Sequence, residues 1–380
     1  MTTIVKATDA AHFLSLVPRM FGFTPRHSVV VVPFADGRSV GGMRVDLPPG
    51  RDVDAVAATL VGMVCRVDGA DAFMLVVYDD VDSTTFSAGG RLAKAFRSRG
   101  DACGLRVMDA LHVGPTRWRS SLDPAIGGDL ADLPAPGGED PPPDGDQRSG
   151  AELVPASPER VAQVASAAHE LMRAMGVLMG APADDGDRPD HGCRIDPAAL
   201  AATVLLDDLP LFFDGCAADP TDAPAGTTNR ARHPDVPEVY AQAALLWCLD
   251  RPSLRDIALA TWLGGLEVGD RAVEGQLLWQ DGEDYPSELA QRMWGEGTRP
   301  DADRLLAALQ ACRNAAGVAP EESRPGALAA CAWLSWALGR LTHAEIYARA
   351  ACEIEPEHGL ATIMLTFVDA GHLPDWAFHR

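Results

Sequence analysis

The chain has 380 residues, with 54 acidic against 32 basic side chains and a formal net charge of −22. That length suggests two or three domains. Hydrophobic residues make up 47% and charged residues 23%, which is ordinary for a globular protein and excludes wholesale disorder, while the acidity argues against a generally basic nucleic-acid-binding or membrane-surface protein.

From the amino terminus, the first element is a helix over 8–21. Thr8 or Asp9 can cap it, Phe13, Leu14 and Val17 form its apolar stripe, and Pro18 is expected to break or bend it. Residues 28–34 form a β-branched run, Asp36-Gly37 is a hairpin signal, and 39–47 returns as a second strand. A helix follows over 53–67. Residues 72–78 are unbroken apolar sequence, as in a strand buried on both faces. A helix over 88–98 and two strands over 105–113 and 116–122 complete a ββαβαββ order, which implies a mixed sheet in an α/β layer. Residues 73–78 are placed beside 29–32 at its centre.

Residues 123–157 hold eight acids and one base and are rich in Pro and Gly, the composition of a disordered or extended linker. A helix capped by Ser157-Pro158 runs to about 179. An acidic loop spans 181–192, a short helix 197–204, and another loop runs through Pro237. From Glu238 onward the pattern is helical. Tryptophans at 247, 262, 279 and 294 recur before turn residues, the rhythm of stacked short helices or of aromatics at helix contacts in a bundle. Residues 325–358 have the length of one tetratricopeptide repeat, with Ala332, Gly339, Ala344 and Ala351 at close-approach positions and Pro356 closing. The expected architecture is an α/β head (1–122), a linker (123–157), helices with an acidic loop (158–237), and an all-α region of helical hairpins ending in a tetratricopeptide-like unit (238–380).

The charge is uneven. Residues 1–122 hold 12 acids and 14 bases, whereas 236–380 hold 21 acids and 11 bases. The start of the chain has no secretory pattern, and no run of about 18 apolar residues occurs, so no membrane partner is expected. The eight cysteines are scattered without a CxxC pair, which reads as reduced thiols in a cytoplasm. Thirty of the bases are Arg and two are Lys, a bias typical of a GC-rich bacterial genome.

No Walker loop, GxGxxG, HExxH, GxSxG or EF-hand pattern is present, and no cofactor is expected. His191 and Cys193 are the one pair at metal-ligand spacing, and no metal is assigned to them. The candidate polar cluster lies in the head. Arg44 and Asp46 flank Val45 on one strand face, Tyr78, Asp79 and Asp80 end the buried strand, and His112 and Arg117 sit on the last hairpin. Together they could supply a carboxylate acid–base and an arginine anion holder. A strand-end salt bridge with a turn-forming Asp pair accounts for the same residues. Arg91, Lys94, Arg97, Arg99 and Arg119 form a candidate basic patch. A solvated helix face explains it equally, and only Trp118 is available for stacking, so nucleic acid is not an expected partner.

The run Leu14–Val32, containing VP-x-x-x-GF-x-P-x-x-S before a hydrophobic strand, resembles the opening signature of an actinobacterial family known only as domain of unknown function 4192. Arg44-Val45-Asp46-Leu47-Pro48 resembles its second signature, and 329–336 with 344–356 is similar to its carboxy-terminal part. The resemblance covers nearly the whole chain less the acidic loops. Relatives carry a cysteine-rich segment after the aromatic strand, whereas Arg117–Pro124 has no cysteine, so no redox or metal role transfers. The resemblance supplies no reaction. The sequence leaves two expectations: an interaction or regulatory protein using its helical region to meet another protein, or a small-molecule-binding or hydrolytic α/β head.

Overall fold

The structure, a computed structural model, describes residues 7–47, 53–82, 88–135, 144–180, 195–217 and 236–379. These divide into two compact units, one within 1–150 together with Phe378 and His379, the other within 151–377.

The first unit is an α/β domain. Helix α1 (Ala10–Phe21) begins at Asp9, whose carboxylate accepts from the His12 N–H at 2.9 Å. Pro18 does not break it. The helix continues to Phe21 and ends at Gly22, whose left-handed backbone (φ 76°) returns its N–H to the Pro18 carbonyl. Strand β1 (Ser28–Ala35) then turns through Asp36 and Gly37, both at positive φ, as a two-residue hairpin requires. The return strand is not continuous. It splits into β2 (Arg38–Ser39) and β3 (Met43–Asp46), both antiparallel to β1. Between them Gly42 lies against the Phe21 ring, where a Cβ would come within 2.6 Å of Cζ.

Helix α2 (Val53–Arg66), strand β4 (Ala72–Tyr78), helix α3 (Ala88–Ala102) and strands β5 (Arg106–Val113) and β6 (Arg117–Ser120) follow. Strand β1 pairs antiparallel with β4 from Ser28↔Tyr78 to Phe34↔Ala72, the expected central pairing. Strands β4 and β5 are parallel and joined by α3, so the sheet is mixed. One face packs Phe13, Leu14 and Val17 of α1 against Val30, Val32, Val76 and Leu111. The other packs Leu60 and Val64 of α2 and Leu92 and Phe96 of α3 against Val29, Val31, Leu75 and Val77.

The region expected to be a linker contributes to this domain. Strand β7 (Gly127–Asp129) adds to β6. Gly127 can do so because it has no Cβ, which would sit 2.7 Å from the Trp118 carbonyl oxygen. Further on, Gln147 is buried and bonds both ways to Arg26, accepting from its N–H at 3.1 Å and donating to its carbonyl at 3.2 Å. Glycine-rich composition here serves a close-packed edge strand and an anchored turn. Residues 136–143 lie outside the described residues.

The second unit is helical. It runs through α4 (Pro158–Leu178), α5 (Pro197–Ala202), α6 (Leu209–Cys216), α7 (Glu238–Leu249), α8 (Pro252–Gly264), α9 (Leu266–Gln280), α10 (Ser287–Met293), α11 (Ala302–Val318), α12 (Pro325–Ala337), α13 (Leu341–Ile354) and α14 (Gly359–Asp369). Helix α6 occupies sequence expected to be loop. Asp208 caps it, and Phe212 and Phe213 are buried in the core. The acidic loop over 181–192, with His191 and the neighbouring Cys193, lies outside the described residues. Helix α12 is buried along its whole length, so it lacks a polar face. The tryptophan rhythm does not mark equivalent positions. Trp262 is fully buried and donates to the Phe213 carbonyl at 2.8 Å, whereas Trp279 is 61% exposed and Trp294 51% exposed.

Candidate functional site

Sheet register decides which candidate residues meet. Asp46, Ser28, Tyr78, Val113 and Trp118 form one row across the sheet, and Val45, Val29, Val77, His112 and Arg119 form the next. Adjacent rows face opposite sides. Arg44, Asp46 and Tyr78 therefore lie on the α1 face, while His112, Arg117 and Arg119 lie on the α2–α3 face. The expected single cluster is split by the sheet itself.

On the α1 face, the Arg44 side chain is only 7% exposed. Its Nε donates to Ser28 Oγ at 2.8 Å, and its Nη2 pairs with Asp46. Burial pulls the Arg44 pKa down, and the Asp46 charge opposes that shift. Tyr78 is buried, and desolvation pushes its phenol pKa up. The Arg44 side chain and Tyr78 are thus buried on this face, while Asp46 meets Arg44 from the exposed side.

The opposite face carries a cleft of about 330 Å³ beyond the carboxyl ends of the parallel strands β4 and β5, where open α/β sheets bind ligands. His112 forms its inner wall. Its side chain is 5% exposed, and its Nε2 lies 3.6 Å from Asp79 Oδ2. That distance is too long for a hydrogen bond, and Nε2 has no hydrogen-bond partner among the described residues. Burial pulls the His112 pKa below its ordinary value, against the opposing pull of Asp79. The remaining oxygen of Asp79 accepts the Asp80 N–H at 2.8 Å. Asp80 itself is exposed and faces His27 at 3.4 Å.

Asp82, not singled out in the sequence, proves to organise the rim. It accepts the N–H groups of Thr116 at 3.1 Å and Arg117 at 3.2 Å, together with the Thr116 hydroxyl. These bonds hold its carboxyl below the usual range. The spacing Asp79-Asp80-Val81-Asp82 was a visible signal, but its partner across the turn was not. Arg117 pairs with Asp129 at 3.1 Å. Arg119 is half-buried in the cleft wall and meets no carboxylate at ion-pair distance among the described residues.

Arg91, Lys94, Arg97 and Arg99 are exposed on α3, above the buried Leu92 and Phe96. None pairs with a described carboxylate. Trp118 is 7% exposed, packs in the core of the α1 face and also borders the cleft, so little of its ring is open to a stacked base. Arg119 belongs to the cleft instead of forming part of a stacking surface.

Among the described residues, no group of three or more His, Cys, Asp or Glu side chains is placed to hold a metal ion, and no helix is long and apolar enough to cross a membrane. No curated protein and no solved structure matches the chain significantly. A family model does match, over residues 11–375, and the chain belongs to that family, described as Domain of unknown function (DUF4192).

Proposed function

We propose that this chain is a binding protein whose α/β unit takes a small polar molecule into the cleft beyond β4 and β5. The observation that carries this reading is His112, a buried imidazole in the wall of an open cleft, whose Nε2 has no hydrogen-bond partner among the described residues. Buried polar atoms are rarely left in that state, and one in a cleft wall is a place for a ligand atom. A thermal-shift screen of the full chain against small polar metabolites tests it. A compound that raises the melting temperature of the parent but not of His112→Gln supports the reading. Compounds that stabilise both proteins equally would count against it.

A second reading, a partner protein held by the helical unit, is favoured by Leu277, Leu278 and Trp279, which stand exposed in succession at the end of α9. The short turn joining α12 to α13 supports a tetratricopeptide-like reading of 325–358. Co-purification from a native lysate would recover a stoichiometric partner that Trp279→Glu releases. A partner retained by that variant would place the contact elsewhere. A cytoplasmic location is supported by the seven described cysteines, all free thiols. We assign no reaction.

A further inference from the structure

We propose that the cleft selects an oxyanion: the small molecule carries a carboxylate or a phosphate, seated between Arg119 and His112. This rests on the cleft being a ligand site, and adds which chemistry it takes.

His112 and Arg119 are register partners on β5 and β6. Side chains so paired stand about 5 Å apart at their Cβ atoms, on one face. One partner is a buried imidazole whose Nε2 faces Asp79 at 3.6 Å but has no hydrogen-bond partner among the described residues, and the other is a half-buried guanidinium with no carboxylate at ion-pair distance among them. A guanidinium keeps its charge at any physiological pH and presents parallel N–H donors that match an oxyanion. A neutral imidazole with its proton on Nε2 adds a further donor. Both side chains line the same cleft.

The carboxylates near the cleft do not cancel this. Both oxygens of Asp82 already accept from Thr116 and Arg117 donors of the β5–β6 turn. One oxygen of Asp79 is taken by the Asp80 N–H, and the other faces His112. Asp129 balances Arg117. Arg119 therefore remains as the charge without a described counter-ion, at the cleft wall. The volume of about 330 Å³ suits a metabolite-sized molecule and is too small for a folded partner.

Isothermal titration of the full chain with inorganic phosphate in one arm, acetate and succinate in a second, and glycerol with ethylammonium in a third tests the proposal. The expected result is saturable binding in the phosphate or carboxylate arm that weakens at least tenfold in Arg119→Gln and is unchanged in Arg97→Gln. Binding confined to the third arm and lost in His112→Gln would overturn the oxyanion assignment while leaving the cleft a ligand site. Anion binding that Arg119→Gln leaves intact would overturn it as well. Silence in all three arms would overturn both. Circular dichroism of each variant confirms that the fold is retained.

Discussion

Arg44 and Asp46, two residues apart on β3, close on each other on the α1 face, with Arg44 also bonded to Ser28 on β1. The pair ties the edge strand to the centre of the sheet and leaves neither residue for the cleft on the other face. Asp46 is mostly exposed, whereas the Arg44 guanidinium is nearly buried and also bonded to Ser28, so the two partners are not equally costly to remove. Arg44→Ala should therefore destabilise the domain more than Asp46→Ala, by about 1–3 kcal/mol against less than about 1 kcal/mol. Urea denaturation of the two variants measures the order. Ligand binding in the cleft should be the same in both.

The architecture of the head was legible because its strands carry their signals locally. Residues 29–32 and 72–78 are β-branched or apolar without interruption, and Asp36-Gly37 supplies the hairpin turn. The face each polar residue occupies was not legible, because it depends on pairing between strands far apart in sequence. His112 shares a face with Arg119 and not with Asp46 only because Val29 pairs with both Val45 and Val77, and Val77 with His112. Strand β7 was hidden for a different reason. Glycines at 127 and 128 lower strand propensity, and the requirement that admits Gly127, a carbonyl oxygen of Trp118 at close range, is a tertiary fact.

That requirement can be tested at two adjacent positions. A Cβ at Gly127 would lie 2.7 Å from the Trp118 carbonyl oxygen and 3.0 Å from Arg119 Cβ, while one at Gly128 would meet only Trp118 Nε1 at 3.5 Å. Backbone oxygen cannot move aside without disturbing β6. Gly127→Ala should cost about 1–3 kcal/mol, in the range of overpacking substitutions, whereas Gly128→Ala should be tolerated. Hydrogen exchange at β6 and β7 amides would show faster exchange in the first variant alone. Equal protection in both would mean that β7 is not held by this approach.

In the helical unit, two tryptophans of the apparent rhythm should behave oppositely. Trp262 is enclosed, packs edge-on against Phe213 at 6.0 Å between ring centroids, and satisfies the Phe213 carbonyl. Trp262→Phe removes one of that carbonyl's two described donors, the Ala217 N–H at 3.3 Å remaining, and opens a gap, and should cost about 1–3 kcal/mol. Trp279 is mostly exposed, so Trp279→Phe should change stability by less than about 0.5 kcal/mol. Chemical denaturation followed by far-ultraviolet circular dichroism separates the two. A large loss at Trp279 would mean that its side chain is packed in solution.

The buried imidazole also predicts how the α/β unit responds to acid. Burial holds the His112 pKa in the folded protein below its ordinary value of 6.5, with Asp79 opposing the shift. The unfolded chain therefore takes up this proton first as pH falls. Wherever the unfolded state binds more protons, stability falls with falling pH. The contribution of neutral His112 is intact above about pH 6.5 and is lost below it, down to the folded-state pKa. His358 in the helical unit is shifted in the same direction by its own burial, so the informative quantity is a difference between proteins. His112→Gln removes the titrating group and keeps a polar side chain, so the decline in stability between pH 7 and pH 5 should be shallower than in the parent. Melting temperatures measured at half-unit pH steps for both proteins give the comparison. Parallel curves would show that His112 is not buried in its neutral form. An oxyanion bound on Arg119 favours the protonated imidazole, so adding phosphate should flatten the parent's curve toward that of the variant.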